Sequence, residues 1–194
     1  MPDTLTFQEQ SHIYRSNGVI VPSVTQVLRR VNLCPATDNE FALSRGRAVH
    51  TACAQWEAGT LDDAALDPRV RPYLTGWQKF CAENAWESTL IEKPLASSAA
   101  GFAGTPDRLG LRGTVPSGLD IKCGPPASWH VYQDAGYSIL ASEAKHLSLL
   151  APWMNVYLDG HDHYRVVQYS LAQMHHARMV FAAALLVCHS QEGV

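Results

Sequence analysis

The chemically suggestive residues of this chain lie in two short stretches, Gly104-Thr-Pro-Asp107 and, twelve residues after Pro106, Gly118-Leu-Asp-Ile-Lys122. In a strand, side chains alternate between faces, so Asp120 and Lys122 project to one side and Leu119 and Ile121 to the other. If the two stretches pair as neighbouring strands, Asp107 meets Asp120 at one end of a sheet, and Pro106 marks a bend or bulge. Two carboxylates that close repel unless a cation lies between them, and Mg2+ or Mn2+ suits such an oxygen-rich donor set. A cation held there polarises a phosphoryl oxygen and lowers the pKa of a bound water, while the Lys122 ammonium stabilises developing negative charge. That combination suits phosphodiester hydrolysis. An ordinary hairpin with a surface Asp and an exposed Asp/Lys pair has the same spacing.

The elements that must carry these residues follow from punctuation and periodicity. Residues 12–15 and 19–21 read as a hairpin about Asn17-Gly18, and Ser23-Val-Thr-Gln26 is a capping box opening a helix to about Arg30. The spacing of Phe41, Val49, Ala52, Cys53 and Trp56 predicts a helix over 37–58, closed by Gly59. His50 lies at the edge of its apolar stripe, with Gly46 one turn earlier leaving room for close approach. An imidazole there can complete a metal shell or simply bond within the core. An acidic loop over 61–67 leads to an amphipathic helix over 69–87.

Three strands are then expected, over 89–95, 102–111 and 117–123. A helix over 128–145 places Gln133 and Tyr137 four apart on one side. A hairpin of 153–158 and 163–169 about Asp159-Gly160 and a helix over 170–188 complete an α/β chain. The reading is one domain, 1–194, divided into an N-terminal hairpin and short helix (1–35), a helical region (37–87), the catalytic sheet (89–169) and a C-terminal helix (170–194).

Composition narrows the classes. With 46% apolar and 17% charged residues the chain can fill a core, and a net charge of −3 excludes a generally basic nucleic-acid coat. Cys34, Cys53, Cys81, Cys123 and Cys188 are scattered without a C-x-x-C pair, which argues against a disulfide framework, a zinc ribbon or a four-cysteine cluster and favours a reducing cytoplasm. The first ten residues lack a secretory pattern. The apolar run 179–188 is about half of a membrane span, so no membrane association is expected. Arg45, Arg47, Lys79, Lys93 and Arg108 are candidates to track a phosphate backbone. Trp56, Trp77, Trp86 and Trp129 either stack on unpaired bases or pack in the core. Glu92 is a minor candidate to approach a metal through water, and His161, His163, His175 and His176 read as solvated or packed.

In their order and context, His50 within Gly46-Arg-Ala-Val-His50, Asp107 within GTPD, Asp120 and Lys122 within GLDIK, and Gln133 with Tyr137 resemble the motifs of the PD-(D/E)XK nuclease superfamily. The resemblance is to its RecB-like exonuclease branch, and the N-terminal Val21-Pro-Ser-Val-Thr-Gln-Val-Leu28 is also similar to the opening segment of relatives there. It spans roughly residues 12–169 and implies a restriction-endonuclease-like core, a mixed sheet of about five strands flanked by helices. It further implies Mg2+ or Mn2+ held by His50, Asp107, Asp120 and the Ile121 carbonyl, with Lys122 assisting the nucleophile. Gln133 and Tyr137 would contact DNA near the scissile phosphate or buttress Lys122; of the cations singled out by charge above, Arg47 and Arg108 are the ones expected to touch the DNA. Asp120 stands where many members have Glu, and the cysteine cluster of the CRISPR-associated members has no counterpart, so no iron–sulfur cluster is expected. No Gly-x-x-x-x-Gly-Lys loop is present, so no nucleotide cofactor is expected, and a helicase or recombination protein is a candidate partner. The function implied is a metal-dependent deoxyribonuclease, an exonuclease on DNA ends or single strands, in the cytoplasm of a bacterium or phage-infected cell. The alternative is a DNA-binding or assembly protein that keeps the fold without the activity.

Overall fold

Asn17 and Gly18 take positive φ of 50° and 82°, which turns the chain tightly between β2 (Ile13–Ser16) and β3 (Val19–Val21). A strand that the sequence reading omitted, β1 (Leu5–Gln8), pairs antiparallel with β2 to give a small three-stranded sheet. In this computed structural model, residues 4–8, 11–35 and 39–192 are described. The expected capping box opens α1 (Val24–Arg30): Ser23 Oγ accepts from Gln26 N at 3.2 Å, and Gln26 Oε1 accepts from Ser23 N at 2.8 Å.

The next helix, α2, runs over Glu40–Glu57; the first residues of its expected span, 37 and 38, lie outside the described residues. It closes as its sequence indicates. Gly59, at φ 67°, donates to Trp56 O at 3.0 Å and Thr60 donates to Gln55 O at 2.9 Å, the paired bonds of a Schellman motif. Val49, Ala52 and Cys53 are buried, but Phe41 is 63% exposed; its ring lies beside the Arg45 guanidinium instead of the core. The helix expected to reach residue 87 is α3 (Arg71–Asn84), shorter because Ala85 adopts φ 45° and turns the chain directly into β4 (Trp86–Ile91).

Five strands form where three were expected: β4, β5 (Leu95–Ser97), β6 (Phe102–Gly104), β7 (Arg108–Arg112) and β8 (Val115–Lys122). Left-handed Glu92 (φ 45°) and Pro94 break the first expected run, and Thr105-Pro106 breaks the second, so β5 and β6 separate as their own two-stranded ribbon. The chain continues through α4 (His130–Glu143), β9 (Trp153–Leu158), β10 (Tyr164–Tyr169) and α5 (Leu171–Glu192).

The main sheet has the order β10-β9-β8-β7-β4. Only β8 and β9 are parallel within it, joined by the α4 crossover. Helices α2 and α3 cover one face over Val49, Trp77, Phe80, Leu119, Ile121 and Val156, and α1, α4 and α5 cover the other over Leu28, Leu140, Trp153 and Phe181. This is the α/β class with a mixed five-stranded sheet. Residues 171–191 of α5 are long and apolar enough to cross a membrane by length and composition, a longer stretch than the expected apolar run. One face of α5, including Met174, Ala177, Phe181, Ala184 and Cys188, is instead packed in the core.

Candidate active site

Pairing of Arg108 with Leu119 in the β7–β8 register carries Asp107 and Asp120 to the same end of the sheet. Alternation along β8 then sends Leu119 and Ile121 into the α2–α3 core and turns Asp120 towards Lys122, with which it forms an ion pair. Asp107 leaves the Pro106 turn with its carboxylate directed at the end of β8, where Oδ2 accepts from Ile121 N at 2.7 Å. His50 reaches the same point from α2. Its Nδ1 lies 3.5 Å from Asp107 Oδ1 and 3.5 Å from Glu92 Oε1, and its Nε2 is 3.1 Å from the Ile121 carbonyl. The structure therefore gathers His50, Asp107, Asp120, Ile121 and Lys122, and adds Glu92 as a direct neighbour.

Electrostatics follow from this crowding. Burial and the Asp120 charge push the Asp107 carboxyl up to about 7, against the opposing pull of His50 and Lys122. Burial alone would lower the His50 pKa, but the Asp107 and Glu92 carboxylates outweigh it and raise the imidazole to about 9. Burial likewise disfavours the Lys122 ammonium, and Asp120 and Asp107 more than restore it. Lys122 is thus held as a cation, suited to stabilising negative charge and not to removing a proton.

Gln133 and Tyr137 supply the buttress. Lys122 Nζ donates to Gln133 Oε1 at 2.7 Å, and Gln133 Nε2 donates to the Tyr137 hydroxyl at 3.0 Å. Both side chains are buried, and their hydrogen bonds have the geometry of one of the two roles implied for them, the support of Lys122. Tyr137 also closes on Gly104 of the GTPD stretch, where a Cβ would come within 2.9 Å of its ring. Gly46 has no such role: a Cβ there would meet nothing within 4 Å, so the expected close approach beside His50 is absent.

Arg108 departs furthest from expectation. It is fully buried, not directed at DNA, because β7 turns it onto the α2–α3 side of the sheet. Its Nε donates to Glu57 Oε1 at 2.8 Å, and one terminal nitrogen donates to Asp107 O at 2.8 Å and to Glu92 Oε1 at 3.4 Å. Glu57 also accepts from Trp77 Nε1 at 3.1 Å and from the Ser88 hydroxyl. Arg47 is exposed on α2 one turn before His50. The sequence reading passed over Glu57 and also Asp134, which is fully buried on α4 and accepts from Asn155 Nδ2 at 2.7 Å. Burial and Asp120 push the Asp134 carboxyl well above its usual range. The available signal was an acidic residue inside an apolar helical face.

Among the described residues, no three acidic, histidine or cysteine side chains already stand in a ligating arrangement. Asp120 is turned to Lys122, and Glu92 is shared between His50 and Arg108. The donor chemistry nonetheless fits a hard divalent ion: carboxylates converge with an imidazole whose proton a bound ion would displace, and the Asp120 repulsion that adds to burial in raising Asp107 is one a cation relieves.

No protein-family description matches this chain, and no curated protein is similar to it. Among solved structures, LHK-Exo in complex with dAMP is 16% identical and aligns over 88% of this chain and 89% of that one, with a TM-score of 0.46. Another structure of LHK-Exo, described as an alkaline exonuclease from Laribacter hongkongensis, is 17% identical over 85% and 87% of the two chains, with a TM-score of 0.33. A protein from Eubacterium rectale is 12% identical over 84% and 73%, with a TM-score of 0.47. The functional reading rests on the geometry of the site itself.

Proposed function

We propose that this protein is a Mg2+- or Mn2+-dependent deoxyribonuclease of the RecB-like PD-(D/E)XK type, acting as an exonuclease on DNA ends or single strands. The observation that carries the reading is the meeting of an imidazole, two buried acids and a cationic lysine at one end of β8, with His50 and Asp107 each in contact with the Ile121 peptide. In this reading His50, Asp107, Asp120 and the Ile121 carbonyl hold the cation. When bound, that cation supplies Lewis-acid polarisation of the phosphate and lowers the pKa of the attacking water. Lys122, fixed by Gln133 and held protonated, orients the nucleophile and stabilises the charge that develops on the phosphate. Burial and the Asp120 charge disfavour an ionised Asp107, and a bound cation relieves that repulsion, which ties hydrolysis to cation occupancy. Exposed Arg47 contacts the DNA backbone.

The test is digestion of end-labelled single-stranded, duplex and circular DNA with Mg2+ or Mn2+, beside Asp120→Ala. Linear DNA should be degraded and closed circles spared. Asp120→Ala should lose at least roughly 10²- to 10³-fold in rate while keeping the circular-dichroism spectrum of the folded chain, its melting temperature lowered because Lys122 loses its buried partner. Circles cut as fast as linear DNA would replace the exonuclease with an endonuclease. DNA binding without cleavage by the wild-type chain would favour a non-catalytic DNA-binding or assembly protein.

A further inference from the structure

Trp77, Trp86 and Trp153 are buried, and Trp56 packs half-buried against the α2–α3 core. Trp129 differs in position. It sits half-buried at the head of α4, resting on the α1–α4–α5 core, and the Lys122 ammonium lies over its ring, 5.6 Å from the centroid. Its indole is therefore next to the group that faces the phosphate in the reading above.

The loop that delivers this ring is restrained at both ends. At its start, Arg45 donates to the Cys123 carbonyl at 2.9 Å. At its end, the Ala127 N–H points at His130 Nδ1 at 3.4 Å, and the same nitrogen is 2.8 Å from the Tyr157 hydroxyl on β9. Pro125 and Pro126 fix two φ angles between those anchors. The His130 ring also meets the indole edge-on, with centroids 4.3 Å apart and planes at 76°. An aromatic surface prepared in this way loses little conformational freedom on binding.

We infer that Trp129 is a stacking platform for an unpaired nucleobase of the strand whose phosphate lies at Lys122. This rests on the nuclease reading for its position and adds the substrate form. A base inside a duplex has both faces covered by its neighbours, so a single strand, a frayed end or the last pair of an end is what offers a face to the indole, and of these the unpaired base is free to turn onto it. Because every base has a π-face, such contact tolerates any sequence. A phosphate drawn to Lys122 leaves its own base, or the adjacent one, within reach of the ring.

The experiment uses the full chain as wild type, Trp129→Leu and Trp129→Phe, with single-stranded oligonucleotides bearing one abasic site or one 2-aminopurine at successive positions. With Mn2+, the wild type should slow about tenfold when the abasic site occupies one particular position beside the cleaved bond. Trp129→Leu should be about as slow on intact DNA and indifferent to the abasic site, with Trp129→Phe between the two. In EDTA, wild type should quench 2-aminopurine at that same position and Trp129→Leu should not. An equal abasic penalty in wild type and Trp129→Leu overturns the proposal, as does wild-type speed of Trp129→Leu on intact DNA. If the wild type cleaves no DNA, the nuclease reading fails and the quenching decides the platform alone: position-dependent quenching lost in Trp129→Leu upholds it, and its absence overturns it.

Discussion

Burial and Asp120 together make Asp107 a carboxyl that the fold prefers protonated, raised from 3.8 to about 7. A raised pKa contributes stability that is fully present below the unfolded value and is lost as pH rises through the folded one. In EDTA, the stability of wild type relative to Asp107→Asn should therefore fall between about pH 4 and pH 7, so that Asp107→Asn has the higher melting temperature at pH 8. Mn2+ should reverse that order by stabilising wild type alone, which differential scanning fluorimetry can follow. The Lys122–Gln133–Tyr137 chain makes a second prediction. Gln133→Leu removes the acceptor that fixes the ammonium and should slow cleavage by about ten- to a hundredfold, by analogy with supporting residues at metal sites. Tyr137→Phe should cost less, because only the far end of the chain is lost; steady-state rates rank the two. The alternation of Asp120 and Lys122 was legible in the sequence because strand periodicity is local. The burial of Arg108 was not, since an arginine beside Asp107 reads equally well as a surface cation.

Elements announced by turn and cap chemistry appear where the sequence puts them: the Asn17-Gly18 hairpin, the Ser23–Gln26 box and the Gly59 end of α2. Those signals act within a few residues, so no distant partner can override them cheaply. Boundaries set by single left-handed residues without glycine, Ala85 and Glu92, were missed, because only surrounding packing holds such residues there. Two glycines give contrasting outcomes. Gly59→Ala puts a Cβ at φ 67° into open space, and should destabilise by about 1 kcal/mol. In Gly118→Ala the Cβ would lie 2.5 Å from the Trp153 ring, and the crowding on β8 should cost about 1–3 kcal/mol or more. Urea denaturation of both variants checks the order.

Across the whole molecule, Glu57 and Arg108 tie α2 to β7, and Trp77 and Ser88 bring in α3 and β4 at the same carboxylate. Arg108→Met strands Glu57 in the interior and should cost about 3–5 kcal/mol, whereas adding Glu57→Gln should recover much of that loss. A double-mutant cycle by urea denaturation measures the coupling. The network also sets the site, because Arg108 bonds the Asp107 carbonyl and the Glu92 carboxylate. The sequence by itself determined the α/β class and the placement of most helices, which rest on spacing within one segment, and it offered His50, Asp107, Asp120, Lys122, Gln133 and Tyr137 as a candidate set through motifs whose order and context resemble those of a known family. The tertiary structure alone decided that Glu92 joins His50, that Arg108 turns inward, that Gln133 and Tyr137 support Lys122 and that Trp129 lies under its ammonium. Those outcomes depend on strand order and on which face each segment buries, and both are fixed only when residues far apart in the chain compete for the same interior.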